Sequence, residues 1–211
     1  MNHLSGAGQL ANRFHAMRHG QSKANEAGVI VSSIGSDRRG DYGLSELGRR
    51  QARAAADACG LPADTLIFSS DFSRAWQTAE IAAARLGAAE ATVAEELRER
   101  CFGALEGGPV AGYATVWRVD EASDEAGAGG VEGVEPAAAV LDRATALVAR
   151  LERRYAGRDI LLVSHGDTLQ ILQAGFLGLD PARHRRLPPL ATAEIRELRL
   201  AGEPRPPERA P

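Results

Sequence analysis

The sequence predicts an α/β fold with a mostly parallel central sheet and helices on both of its faces. Two observations carry that expectation: short apolar runs alternate with longer helical patterns between Phe14 and Leu177, and capping residues punctuate the helical patterns. Such alternation is the mark of repeated βαβ units. A third observation fixes the scale. At 211 residues, 44% hydrophobic and 25% charged, the chain fits one compact domain and neither a disordered nor a fibrous chain.

Taken in order, Phe14–Met17 reads as the first strand and Leu44–Ala58 as a helix, capped by Ser45 and followed by Gly60. Thr65–Phe68 is the next strand, leading into a helix over Phe72–Leu86 that Gly87 terminates. A short apolar run lies near Thr92–Ala94. Pro136 opens a helix to Tyr155, with Gly157 after it; Ile160–Val163 is a strand and Thr168–Leu177 a helix. Residues 1–12 and 202–211 are expected as flexible tails around a single domain at 13–201. Residues 20–43 are rich in Gly, Ser and charge, and 103–135 form a lid-like insertion of many glycines with Asp120, Glu121, Asp124, Glu125, Glu132 and Glu135. Stretches this long without a pattern are typically functional loops or lids.

A formal charge of -3 gives no basic footprint, so neither nucleic acid nor a membrane is an expected partner. Cys59 and Cys101 are too few for a disulfide scaffold and lack metal-type spacing. No apolar run nears the ~20 residues of a spanning helix, and no secretory apolar region opens the chain. A cytoplasmic protein is the expectation. The glycines at 6 and 8 follow no strand, and the only lysine, Lys23, has no preceding glycine, so neither a dinucleotide fingerprint nor a phosphate-binding P-loop is present. His15 and His19 on a strand would lie roughly 13 Å apart, too far to share a metal. No metal and no cofactor are expected. His3, His15 and His184 read as structural or exposed, and Trp76 and Trp117 as packing residues.

Chemistry gathers at three strand ends. Arg18-His19-Gly20 closes the first strand, Ser69 to Arg74 leaves the second, and Ser164-His165-Gly166 follows Ile160–Val163. Ligands of parallel α/β sheets collect at the carboxyl ends of strands. Two guanidiniums can grip the equatorial oxygens of a phosphoryl group, and a neutral imidazole can attack it in line. The leaving alkoxide then needs an acid. Glu95, Glu96, Glu99 and Glu106 all lie in range on composition alone.

The ordered set Arg18-His19-Gly20-Gln21-Ser22 with Asn25, Leu44-Ser45-Glu46-Leu47-Gly48 with Gln51-Ala52, Ser69-Ser70-Asp71 to Arg74 with Thr78-Ala79, Leu97-Arg98-Glu99-Arg100 with Phe102-Gly103 and Glu106-Gly107, and Val163-Ser164-His165-Gly166 resembles the histidine phosphatase superfamily, also called phosphoglycerate mutase-like. The resemblance covers nearly all of residues 14–175. It implies a metal-free phosphohistidine mechanism with His19 as nucleophile, Arg18, Arg74 and His165 as the phosphate pocket, and Glu99 as the proton donor. It also places Asn25 and Gly166 at the substrate, which would be a small phosphorylated metabolite.

The family's cofactor-dependent mutases carry a tyrosine where this chain has Phe102, a lysine shortly after, and an arginine pair for a second anionic group. Here Gly108-Pro109-Val110 offers no lysine, and Arg118 is the lone cation of 111–135. Like charges in that acidic segment would repel a second dianion, so phosphomonoester hydrolysis is expected. Mutase-type phosphotransfer and a non-catalytic phosphate-binding module are the alternatives. Arg38, Arg39, Arg183, Arg185 and Arg186 are further cations that other loops can bring to the substrate.

Overall fold

The computed structural model describes residues 1–122 and 131–203, with Arg39 and Gly40 in backbone only. The strands among them are β1 (Arg13–Arg18), β2 (Leu66–Ser69), β3 (Thr92–Val93), β4 (Asp159–Ser164) and β5 (Ile195–Leu198), in the order β3-β2-β4-β1-β5. All neighbours pair in parallel except β5, which runs antiparallel to β1. The fold class is therefore as predicted.

The helices are α1 (Lys23–Ala27), α2 (Ile34–Gly40), α3 (Glu46–Ala58), α4 (Ser73–Leu86), α5 (Tyr113–Ala122), α6 (Ala137–Arg154) and α7 (Gly166–Phe176). On one face of the sheet, α4 lays Ala75, Ala79, Ala82 and Ala83 with Ala52 and Ala56 of α3 against Met17, Ile67, Leu161 and Val163. The i, i+4, i+7, i+8 spacing of those alanines makes a small-residue stripe that lets backbone approach backbone. On the other face, Leu147, Val148 and Leu151 of α6 and Leu169, Leu172 and Phe176 of α7 cover Phe14, Ala16, Ile160 and Leu162. Every residue of β4 is buried, as a central parallel strand covered on both sides requires.

Local chemistry sets the boundaries. Ser45 accepts the Gly48 N–H at the start of α3, and Gly87 ends α4 in a left-handed conformation at φ 67°. Residues 20–43 hold α1 and α2, each opened by a serine, Ser22 and Ser33, that accepts a backbone N–H.

Residues 1–12, expected to be a flexible tail, lie against the body. Leu4 is in the core cluster, Asn2 donates to the Gly175 carbonyl, and the His3 N–H donates to Thr145 Oγ1. Two leucines, Leu4 and Leu10, among small and polar neighbours are too weak a pattern to show docking in the sequence. Of the expected C-terminal tail, 204–211 lie outside the described residues, as do 123–130 of the lid-like insertion with Asp124 and Glu125. The rest of that insertion carries α5, which packs beside the short 3-10 turn Pro181–Arg186.

Candidate active site

The carboxyl ends of β1, β2 and β4 converge on a cavity of about 260 Å³, lined by Arg18, His19, Asn25, Arg74, Glu99 and Gly166 among others. The structure thus brings six of the predicted site residues to one cavity, and His165 lies directly behind it, its ring 5.2 Å from that of His19.

His19 leaves β1 with its backbone N–H on the Ser164 carbonyl. The turn that follows is set by close backbone contact. A Cβ on Gly20 would stand 2.4 Å from the Gly48 carbonyl oxygen, and one on Gly48 would stand 2.0 Å from that of Gln21. Only glycine fits at both positions, which gives the Leu44–Gly48 motif its physical meaning. Thr78 Oγ1 takes the Gly20 N–H and Gln51 Oε1 the Gln21 N–H, so two helices hold the loop.

Hydrogen bonding fixes the His19 tautomer. Nδ1 lies 2.7 Å from the Gly20 carbonyl oxygen, an acceptor only, so Nδ1 carries the proton. Arg74 Nε donates to Nε2 at 3.2 Å, so Nε2 is the unprotonated ring nitrogen and its lone pair meets the Arg74 N–H. Burial first, then the charges of Arg74 and Arg18, hold the imidazole pKa well below its ordinary value. His19 is thus held neutral, with Nε2 the unprotonated nitrogen on the Arg74 side.

Arg74 opens α4 in a buried setting. Its Nη2 donates to the Val31 carbonyl at 2.9 Å, its Nη1 faces Asp37 at 3.5 Å, and its guanidinium lies over Phe72. Asp37 is itself fixed by the Ser73 N–H and hydroxyl, both at 2.7 Å. Arg18 reaches the cavity beside the Gly166 backbone and donates through Nη1 to the Leu190 carbonyl at 2.9 Å. Its buried Nε has no partner among the described residues.

His165 Nε2 lies 2.9 Å from Ser70 Oγ, while its buried Nδ1 has no partner among the described residues. Ser70 Oγ also accepts the Phe72 N–H at 3.3 Å, which anchors the hydroxyl beside the ring. Burial, reinforced by Arg74 and His19, keeps His165 uncharged. Buried nitrogens without a described partner, on a histidine and an arginine beside one cavity, suit a bound oxyanion once the imidazole carries its proton on Nδ1.

Of the four glutamates left open as acids, only Glu99 lines this cavity. Glu95 and Glu96 pair with Arg98 and Arg150, and Glu106 accepts the Ser32 N–H and hydroxyl at 2.8 and 2.6 Å. Glu99 Oε1 accepts from the Arg100 N–H at 3.0 Å and from the Thr168 N–H and hydroxyl at 3.3 and 3.2 Å. Burial, with Asp167 adding a like charge, raises its pKa against the pull of Arg74. A carboxyl group so placed holds its proton longer than a free one.

Asn25 uses its carbonyl oxygen on the Ser22 N–H in the capping box of α1, which leaves the amide Nδ2 as its donor toward the cavity. Gly166 contributes the first backbone N–H of α7. The wall residues that were not anticipated at the site include Tyr113 and Trp117 of α5, and Asp167 after Gly166. Trp117, read as a packing residue, donates its indole N–H to Asp167 Oδ1 at 2.9 Å. Asp167 also holds His184 at 2.9 Å and Arg100 at 3.3 Å, and Arg100 in turn grips Asp120 of α5 with two nitrogens. The aromatic pair at 113 and 117, one helical turn apart, is the sequence signal that marks this wall.

None of the described acidic residues Asp120, Glu121, Glu132 and Glu135 lines the cavity. Asp120 is bound by Arg100, Glu121 by Arg186 and Glu135 by Arg143. Among the described residues no three His, Cys, Asp or Glu side chains are grouped to hold a metal ion, and no helix is long and apolar enough to cross a membrane.

The sequence profile of the histidine phosphatase superfamily (branch 1) matches residues 14–206. Glucosyl-3-phosphoglycerate phosphatase of Mycobacterium tuberculosis is 34% identical over 205 residues, covering 89% of this chain and 85% of its own. Phosphoglycerate mutase-like protein 4 of Arabidopsis thaliana is 28% identical over 163 residues, covering 74% and 67%. The solved structure of the mycobacterial glucosyl-3-phosphoglycerate phosphatase with VO3 superposes with a TM-score of 0.71 at 31% identity, covering 88% of this chain and 91% of that one.

Proposed function

The chain belongs to the histidine phosphatase superfamily, branch 1, and is a phosphatase, and on that footing we propose that it hydrolyses small phosphomonoesters through a phosphohistidine on His19, without a metal or cofactor. One observation carries the reading. The His19 tautomer is locked with Nε2 unprotonated beside Arg74, in a cavity that Glu99 also lines.

In the first step Nε2 attacks phosphorus as the ester P–O bond breaks, and Glu99 gives its proton to the leaving oxygen to release the alcohol. Arg18, Arg74 and His165 Nδ1 hold the equatorial oxygens in the transition state. The Nδ1–H bond to Gly20 stabilises the positive charge that develops on the ring. In the second step Glu99, now a carboxylate, takes a proton from water while the water oxygen attacks phosphorus and the P–N bond breaks. Inorganic phosphate leaves, and His19 and protonated Glu99 are restored.

The cavity volume of about 260 Å³ lies near the lower end of small-molecule sites, roughly 300–1,000 Å³, which supports a metabolite as substrate. Both cysteines are free thiols, which supports a reducing compartment, the cytoplasm. The test is turnover of an aryl phosphate after exhaustive chelation, with inhibition by vanadate. Activity lost to the chelator and restored by a divalent ion would contradict the metal-free step. Phosphate released to water, not passed to a second sugar acid, separates hydrolysis from mutase-type transfer.

A further inference from the structure

Two consecutive residues of α7 grip two consecutive residues of the segment that carries the acid. Thr168 turns its N–H and hydroxyl to Glu99 Oε1 at 3.3 and 3.2 Å, and Asp167 turns Oδ2 to the Arg100 guanidinium at 3.3 Å. The Arg100 N–H closes the circuit on Glu99 Oε1 at 3.0 Å. The other oxygen of Asp167 accepts the indole N–H of Trp117 and faces His184 Nε2, both at 2.9 Å. Trp117 is a stiff anchor for that bond, since Tyr113 stacks on it at 5.5 Å with the planes 14° apart and the Arg185 guanidinium carbon lies 3.7 Å from the centre of its ring. One buried carboxylate therefore ties the acid segment, α5 and the turn Pro181–Arg186 to the helix that begins at the phosphate pocket.

The charges show why this tie is a carboxylate. Arg100 spends its charge on Asp120, at 2.6 and 2.8 Å, and gives Asp167 only the longer bond. His184 is in contact with Asp167, and Arg185 acts on it from farther off. Burial opposes the ionisation of Asp167, but the bond and charge of His184 and the charge of Arg100 outweigh it, so Asp167 stays ionised and offers no proton itself. Its negative charge is felt at Glu99. After burial it is the largest influence that keeps the proton there, against Arg74 of α4 and the N–H groups of Arg100 and Thr168. Tyr113 of α5, and Arg143 of α6 on the Glu99 carbonyl at 3.4 Å, complete these surroundings.

We propose that Asp167 is a positioning residue for proton transfer: it fixes the acid segment to α7 and sets one negative charge beside Glu99, so that this carboxyl group meets the leaving oxygen as an acid. The proposal rests on the phosphatase reading above and adds the residue through which the acid is held and kept charged with its proton.

Asp167→Asn tests it, because asparagine keeps the size and the Oδ1 acceptor for Trp117 and His184 while removing the charge and the bond to Arg100. The readout is kcat/KM against pH for an alkyl phosphate, glycerol 3-phosphate, and an aryl phosphate, p-nitrophenyl phosphate. Loss of a like charge favours the ionised form of Glu99, so the alkaline limb of the alkyl profile is expected to move down by roughly one pH unit, with alkyl turnover above the limb falling about tenfold. Phosphorylation from the aryl ester needs no acid and is expected to change by far less. Asp167→Ser, which sets no amide N–H against Arg100, is expected to show the same displacement and serves if the asparagine variant does not fold. A merely structural Asp167 lowers both profiles together and leaves the limb in place, which overturns the proposal. The two readings fail differently: a wild-type alkyl profile without an alkaline limb that Glu99→Gln removes refutes Glu99 as the acid, whereas a limb that Glu99→Gln removes and Asp167→Asn leaves unmoved refutes Asp167 alone.

Discussion

Replacing Glu99 by glutamine isolates proton transfer from every other role of that residue. Glu99 Oε1 accepts three hydrogen bonds, from the Arg100 N–H and from the Thr168 N–H and hydroxyl, and a glutamine Oε1 keeps all three. The fold and the ground-state geometry are therefore retained, and what disappears is an acid worth roughly 10²–10⁴-fold in rate. An alkyl alkoxide needs that proton and a phenolate does not. Phosphorylation from alkyl phosphates should fall by that factor in Glu99→Gln, and phosphorylation from an aryl phosphate by far less, read as kcat/KM on matched alkyl and aryl substrates. The pH profile carries a second signature. His19 must be unprotonated and its pKa is lowered by burial, so the acidic limb of the alkyl profile lies below the ordinary imidazole range. Glu99 must be protonated and its pKa is raised by burial, so the alkaline limb lies above the ordinary carboxylate range and vanishes in the variant. Glu106, occupied with Ser32, is the control. An equal loss on both substrate classes, or an alkyl-selective loss in Glu106→Gln instead, refutes the assignment.

Two further predictions concern how the site is built. In Gly48→Ala the new Cβ would overlap the Gln21 carbonyl oxygen at 2.0 Å, backbone against backbone, so the loop after His19 must shift. A loss of about 1–3 kcal/mol in stability, with a fall in kcat, is expected from chemical denaturation and steady-state assays, and unchanged values would contradict the close-packing argument. The buried histidines also tie stability to pH. His19 and His165 stay neutral in the fold, while in the unfolded chain each takes up a proton near pH 6.5. Their contribution is complete above about pH 6.5 and falls as the pH drops toward their lowered folded values, by up to about 1.4 kcal/mol per unit for each histidine. His165→Asn should flatten that slope by one histidine's share between about pH 7 and about pH 5.5, and an unchanged slope would mean that His165 is charged in the fold.

The parts of the fold visible in the sequence are those in which local pattern and tertiary role agree. β1, β2 and β4 are apolar runs bounded by polar turns, and α3, α4 and α6 carry both period and caps, because a central sheet covered on both faces demands such segments. β5 was not legible. Ile-Arg-Glu-Leu alternates poorly, and at the antiparallel edge three of its four residues are only partly buried. α5 was hidden in a segment read as loop because its contacts are distant ones, to Arg100 and Asp167. At the site, strand ends placed the histidines and Arg18 and Arg74, whereas choosing Glu99 over Glu95, Glu96 and Glu106 needed either a family resemblance or the geometry. Asp37, Asp167 and the Trp117–Arg185 pair act through partners 17 to 68 positions away in the chain, beyond the reach of any local motif.

The central claim is that phosphate passes through His19 Nε2, and the most direct measurement is acid-sensitive trapping of the phosphoenzyme followed by identification of the labelled residue. Glu99→Gln turning over an aryl phosphate is the best sample, since phosphorylation proceeds without the acid while the water step lacks its base. The account predicts up to one acid-labile phosphate per chain, on His19, absent from His19→Ala. Label on another residue, or undiminished turnover by His19→Ala, would contradict it.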